Sequence, residues 1–269
     1  VNNESAAITA TVQGDKFGGV FRRTIAQLVQ RFITGYGKDV GRYSLVNIDA
    51  VNFAAFDAAH QQDVGLHARE SLNVIDACAM LAGSVGAQLA PSLNGKLQLI
   101  QIALPAAGAA TEIRKEHIKV GTLRHVQHID PVAAVKLGFC KNWTPQPALQ
   151  TRLLAAHKAL FEKEWPLTVT RYSPEAKRDY KLPGDAAVTA TMFLHGVDAT
   201  AEADRRIALW GTGRDIYEFD GTPDLLMLQK GARLIVYHDQ DGMAAGVEAQ
   251  VLAVTPNWWT REVKVRFLK

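Results

Sequence analysis

Apolar residues recur with a helical period across residues 18–35. Phe21, Ile25, Leu28, Val29 and Phe32 share one face, while Arg22, Arg23, Gln27 and Arg31 lie off it. Gly35 and Gly37 follow as a stop, since glycine readily takes the left-handed conformation that ends a helix. A shorter helix is expected over residues 52–59, with Phe53 and Phe56 on one side. A third helix has Ser71 as its N-cap and Val74, Ile75, Cys78, Leu81 and Ala82 as its apolar stripe before Gly83. The period then falls to two. Residues 89–93 and 96–102 flank Asn94-Gly95, a pair suited to a two-residue hairpin turn. Leu97 and Leu99 alternate with Lys96 and Gln98, giving one buried and one wet face, and Pro91 marks an edge strand.

Residues 105–110, Pro-Ala-Ala-Gly-Ala-Ala, form a small-residue connector, expected to be a domain boundary. Beyond it strands dominate: residues 118–129, 132–140, 168–172 and 187–194. The turn 143–147 leads into a helix over 149–165. A further helix has Asp198 at its cap, Glu202 early, Arg205 and Arg206 late, an order that complements the helix dipole, and Gly211 and Gly213 at its end. The last segment reads as an antiparallel meander of residues 214–219, 232–238, 246–255 and 260–268, with turns at Asp239–Gly242 and at Pro256-Asn257. In its final strand Val263, Val265 and Phe267 point one way, Glu262, Lys264 and Arg266 the other. The pattern predicts an α+β, β-rich chain. A helix-plus-hairpin module spans 1–108, and a mainly antiparallel, barrel-like domain with two inserted helices spans 109–269.

Composition narrows the class. With 269 residues, 48% hydrophobic and 21% charged, the chain is an ordinary globular one, which excludes disordered, collagen-like and coiled-coil classes. The 30 basic against 27 acidic residues give a charge of +3 with no basic stripe, so no nucleic-acid specificity is expected. Cys78 and Cys140 sit among apolar neighbours and read as free core thiols, in keeping with assembly in a reducing compartment. No apolar run is long enough for a membrane span. The chain opens at Val1 without a Met and is read as a cut from a longer polypeptide, so the lack of a targeting signal carries no weight.

Candidate chemistry is sparse. His117, His125 and His128 cluster in sequence, but residues 125 and 128 fall on opposite faces of a strand, with no carboxylate or Cys at metal-site spacing. Gly211-Thr-Gly213 follows a helix and precedes a strand, the reverse of a phosphate loop. Ser84, in Gly83-Ser-Val-Gly86, lacks the nucleophile-elbow spacing. Glu162, Glu164, Asp179 and Asp185 are the acids a glycosidase reading would need. Trp143, Trp165, Trp258 and Trp259 could stack sugars or pack a core; Trp258, Trp259 and Trp143 are taken as the candidate surface or interface residues. No catalytic residue, cofactor or metal is assigned.

Four stretches carry a resemblance. They are Val64–Leu72 (VGLHARESL) with Val74–Ala82 (VIDACAMLA), Val85-Gly86 and the Asn94-Gly95 hairpin; Leu137–Thr144 (LGFCKNWT); Asp198–Arg206 (DATAEADRR) leading to Arg214–Phe219 (RDIYEF); and Val251–Val254 leading to the terminal strand. In this order the chain resembles the tail-hub (baseplate-hub) proteins of long-tailed siphophages and gene-transfer-agent particles. The resemblance implies a structural protein of the virion tail tip, made in the host cytoplasm. It further implies a homotrimer neighbouring the distal tail protein, the tape measure protein and the tail fibre or spike. The family's N-terminal barrel has no counterpart here. A tail-associated glycan-binding or cell-wall-hydrolysing module stays open as the alternative.

Overall fold

The computed structural model of the chain describes residues 14, 16–35, 43–68, 70–146, 149 and 154–269. Gly37, Arg69, Pro147 and the start of the helix expected over 149–165 (residues 150–153) lie outside them. The first part holds α1 (Ile25–Gly35), α2 (Ala50–Ala59), α3 (Val74–Gly83) and the hairpin of β1 (Ala87–Pro91) and β2 (Leu97–Gln101). Next come β3 (Thr111–Ile113), β4 (Arg124–Ile129), β5 (Ala134–Phe139), α4 (Ala155–Glu162), β6 (Leu167–Tyr172), α5 (Pro174–Tyr180), β7 (Val188–Ala190) and α6 (Gly196–Trp210). The chain ends in β8 (Arg214–Gly221), β9 (Arg233–Val236), β10 (Val247–Asn257) and β11 (Glu262–Leu268). The chain is α+β and β-rich, as its patterning predicts.

Three sheets organise these strands: β1-β2, β6-β5-β7, and a six-stranded sheet in the order β3-β9-β10-β11-β8-β4. The large sheet is antiparallel apart from the β3–β9 pair, and it is open, with β3 and β4 at its two ends. Its last four strands are not the simple meander expected. β9, β10 and β11 follow one another, but β8 pairs with β11, Phe219 opposite Val265 and Tyr217 opposite Phe267. The terminal alternation holds: Val263, Val265 and Phe267 are fully buried, and Lys264 and Arg266 face out.

Local corrections each have a physical cause. The Asn94-Gly95 turn is longer than two residues. Gly95 N–H donates to the Ser92 carbonyl at 3.0 Å, and Ser92 N–H to that of Lys96 at 2.7 Å. Gly95 takes φ +76, the left-handed step that follows a type I turn in a three-residue hairpin loop. Gln98 is buried rather than wet, because α2 lies along the outer edge of β2, where Asn52 exchanges two hydrogen bonds with the backbone of Leu99 (3.0 and 2.7 Å). The N-cap of α3 is Asn73, whose side chain accepts from Ile75 N–H at 2.9 Å, so Ser71 lies outside the helix. Val74 and Ile75 are exposed, and Ala77, Cys78, Leu81 and Ala82 form the face that packs towards α1. Asp198 lies in the first turn of α6, one turn past the cap at His195. Pro256 and Asn257 extend β10, and the turn falls at 258–261.

Two buried clusters result. One joins Ile25, Val29, Phe53, Leu81, Val85 and Leu99 to Met192, Phe193 and Ala199, drawing on both sides of residue 108. The other runs from Ile113 through Phe219, Leu234 and Val251 to Phe267. Gln250 bridges them. Buried in β10, it accepts from Ala103 N–H (3.0 Å) and donates to the carbonyls of Gln101 (2.8 Å) and Gly231 (3.2 Å).

Candidate functional site

The densest polar constellation lies where α6 meets α3 and the hairpin. Glu202 has only 6% of its side chain exposed, and it binds Arg205 through both oxygens (2.7 and 2.8 Å) and Arg206 through one (2.6 Å). The two guanidinium groups continue onto backbone carbonyls: Arg205 to Ile102 (3.0 Å) and Val85 (3.1 Å), Arg206 to Gly83 (2.7 Å) and Ser84 (3.0 Å). These carbonyls close the end of α3 and the hairpin, so the charges fasten both onto α6. Burying a carboxylate is costly unless it is paired and hydrogen-bonded in this way. Spacings of three and four residues along one helix face place both arginines on Glu202. That spacing is visible in the sequence, whereas the carbonyls about 100 residues upstream are not.

Beside this clamp α6 packs on β5 and β6, and an open cleft of about 330 Å³ lies where β7 continues the sheet. Val132, Ala187, Thr189, Leu209 and Trp210 wall it, and Lys136, Arg205 and Arg206 give it positive charge. Lys136 was not among the residues singled out from the sequence.

The other sequence candidates disperse. A bulge between His125 and Gln127 shifts the phase of β4, so His125 and His128 share a side instead of facing apart. Both reach the same oxygen of Asp215, His125 Nε2 at 3.0 Å and His128 Nδ1 at 2.7 Å. The His128 bond, then the His125 bond, holds the Asp215 carboxyl below the usual range. His117 instead accepts from Arg114 N–H at 3.1 Å. Among the described residues no group of three His, Cys, Asp or Glu is placed to hold a metal ion.

Ser84 is fully buried and structural: its hydroxyl donates to Met80 O (3.0 Å) and accepts from Met192 N–H (2.8 Å). Gly211 caps α6, its N–H reaching Ile207 O at 2.7 Å. The acids are held by separate cations, Glu162 by Lys158, Glu164 by Lys141 and Asp179 by Arg178. The bond from Arg178 keeps Asp179 below the usual carboxylate range, opposite to what a general acid needs. Asp185 lies between α5 and β7. Cys78 is buried, and desolvation pushes its thiol up to about 12. Cys140 is exposed at φ 52 on leaving β5, which corrects its reading as a core thiol.

The tryptophans separate as well. Trp143 packs partly buried against the first cluster, with Lys141 Nζ 4.4 Å from its ring centroid. Trp258 and Trp259 form the β10–β11 turn and are 65% and 98% exposed. Glu218, missed from the sequence, sits on β8 in reach of Arg124 (2.6 Å), Arg266 (2.7 Å) and Lys264 (3.6 Å) from the flanking strands. These cations hold its carboxyl at about 2.

No family model matches the chain, and no curated protein matches its sequence. Among solved structures the chain is similar to one in the virion of a native gene transfer agent particle, with TM-score 0.57 at 13% identity. That match covers 100% of this chain and 53% of the other. It is also similar to a tail protein from Neisseria meningitidis MC58 (TM-score 0.46, 11% identity, 91% and 67% covered). A third is prophage tail protein gp18 from Listeria monocytogenes EGD-e (0.38, 13%, 78% and 55%). The chain thus spans about half the length of the gene-transfer-agent chain it matches. At this identity the likeness is one of fold, and at that level the resemblance read from the sequence is borne out.

Proposed function

We propose that this chain is a structural, non-enzymatic component of the tail of a phage-like particle, placed at the tail tip as part of a hub. The observation that carries the reading is the gene-transfer-agent match, which takes in this chain from end to end. In this reading the protein works as a homotrimer in the virion, against the distal tail protein, the tape measure protein and a fibre or spike. The exposed Trp258–Trp259 turn supplies one contact, since large aromatics at a surface tip are favoured anchors of protein interfaces. Imaging of assembled particles with labelled protein tests the placement; density in the capsid or along the tube shaft would reject it. Zymography on cell-wall substrates is expected to show no clearing.

The same two tryptophans favour one second reading, a glycan-binding module, because exposed indoles stack on sugar rings. A host-glycan pull-down abolished by replacing both tryptophans, in protein that does not assemble with tail components, would select it.

A further inference from the structure

We propose that the cleft between α6 and β7 is a docking site for an acidic peptide segment of another protein chain. The charge and shape of the cleft support this independently of any role in a tail. Lys136, Arg205 and Arg206 line the cleft, and among the described residues no carboxylate does. Glu202 neutralises one charge from behind, which leaves the site cationic. The Lys136 ammonium makes no hydrogen bond or ion pair among the described residues, whereas Arg171 on the neighbouring β6 pairs with Asp204 of α6. Arg206 uses Nε and Nη2 on Glu202, Gly83 and Ser84, and its Nη1 has no partner among the described residues. A guanidinium already fixed by a carboxylate and two carbonyls gives up little side-chain freedom when it accepts a further anion.

The rest of the lining argues for a peptide over a bare anion. Val132, Leu209 and Trp210 offer apolar wall that an inorganic ion would leave unused, and about 330 Å³ holds a side chain or two. The match is therefore an acidic residue flanked by apolar ones, its carboxylate between Lys136 and Arg206.

Fluorescence anisotropy tests this with two labelled nonapeptides, one alternating Glu and Val and the other Gln and Val. The Glu peptide is expected to bind roughly 10-fold more tightly, and to weaken as salt rises from about 50 to about 500 mM. Lys136→Glu and Ala187→Glu should each cut its affinity by about 10-fold at unchanged melting temperature, while Lys96→Glu on the β1–β2 turn leaves it intact. Equal affinity for the two peptides overturns the proposal, and so does an equal loss in all three variants. Competition by free glutarate at the peptide's own affinity would reassign the cleft to a small dicarboxylate and overturn it too. Particle imaging reads the proposed tail role separately, so either idea can fail alone.

Discussion

Glu202 is a single carboxylate on which three segments of the chain depend. Glu202→Gln keeps its shape but leaves Arg205 and Arg206 as uncompensated, largely buried charges, and breaking such a cluster from one side costs about 3 kcal/mol. Urea unfolding should show this as a lower midpoint with an unchanged slope; a loss under about 1 kcal/mol would mean the arginines find water instead. Glu218 gives the pH dependence. Its carboxyl is held at about 2, below the ordinary 4.5, so its stabilisation is complete above pH 4.5 and is lost as pH falls towards 2. Its cations are about half exposed, which discounts the contribution to about 1–2 kcal/mol. The melting temperature of Glu218→Gln should therefore fall less between pH 5 and 2 than that of the parent; parallel curves would count against the assignment. The sequence places Glu202 one turn before two arginines but shows neither its burial nor the carbonyls they fasten, and it singles out nothing at Glu218, whose three cations come from flanking strands.

Elements were most legible where one face is buried and the period is clean. β11 shows it: Val263, Val265 and Phe267 alternate with charges in the sequence and lie fully buried in the structure. Phe267→Ala, which removes a ring packed on Tyr217 and Phe219, is expected to cost about 3–5 kcal/mol by thermal or urea unfolding. Trp258→Ala with Trp259→Ala, on the turn just before β11, should change stability by less than about 0.5 kcal/mol, because both rings are already in water. If the proposed trimer forms, its loss in that double variant by light scattering, at unchanged stability, would put the two rings in its interface. What escaped prediction is short or non-local. α5 has seven residues, too few for a period to register, although Ser173 caps it and Pro174 starts it. The β4 bulge leaves no mark on the apolar pattern, and the β8–β11 pairing joins segments about 50 residues apart.

At the scale of the molecule, the predicted division at residue 108 bears on how the two clusters unfold. Met192, Phe193 and Ala199 complete the cluster that holds Cys78, and Gln250 ties the hairpin to the large sheet. We expect one cooperative transition, in which the exposed Cys140 reacts with a thiol reagent in the native protein and Cys78 reacts only as the large sheet melts. Labelling of Cys78 while the far-UV β signal persists would instead show two independent folding units. The Ser84 hydroxyl on the Met192 amide, with Arg206 on the carbonyls of Gly83 and Ser84, has a consequence during synthesis. The helices and hairpin that begin this cluster are made about a hundred residues of translation before Met192, Phe193 and Ala199, which complete it. Over that interval the half-built cluster keeps an oily flank open, through which a nascent chain can clump with its siblings on the same message.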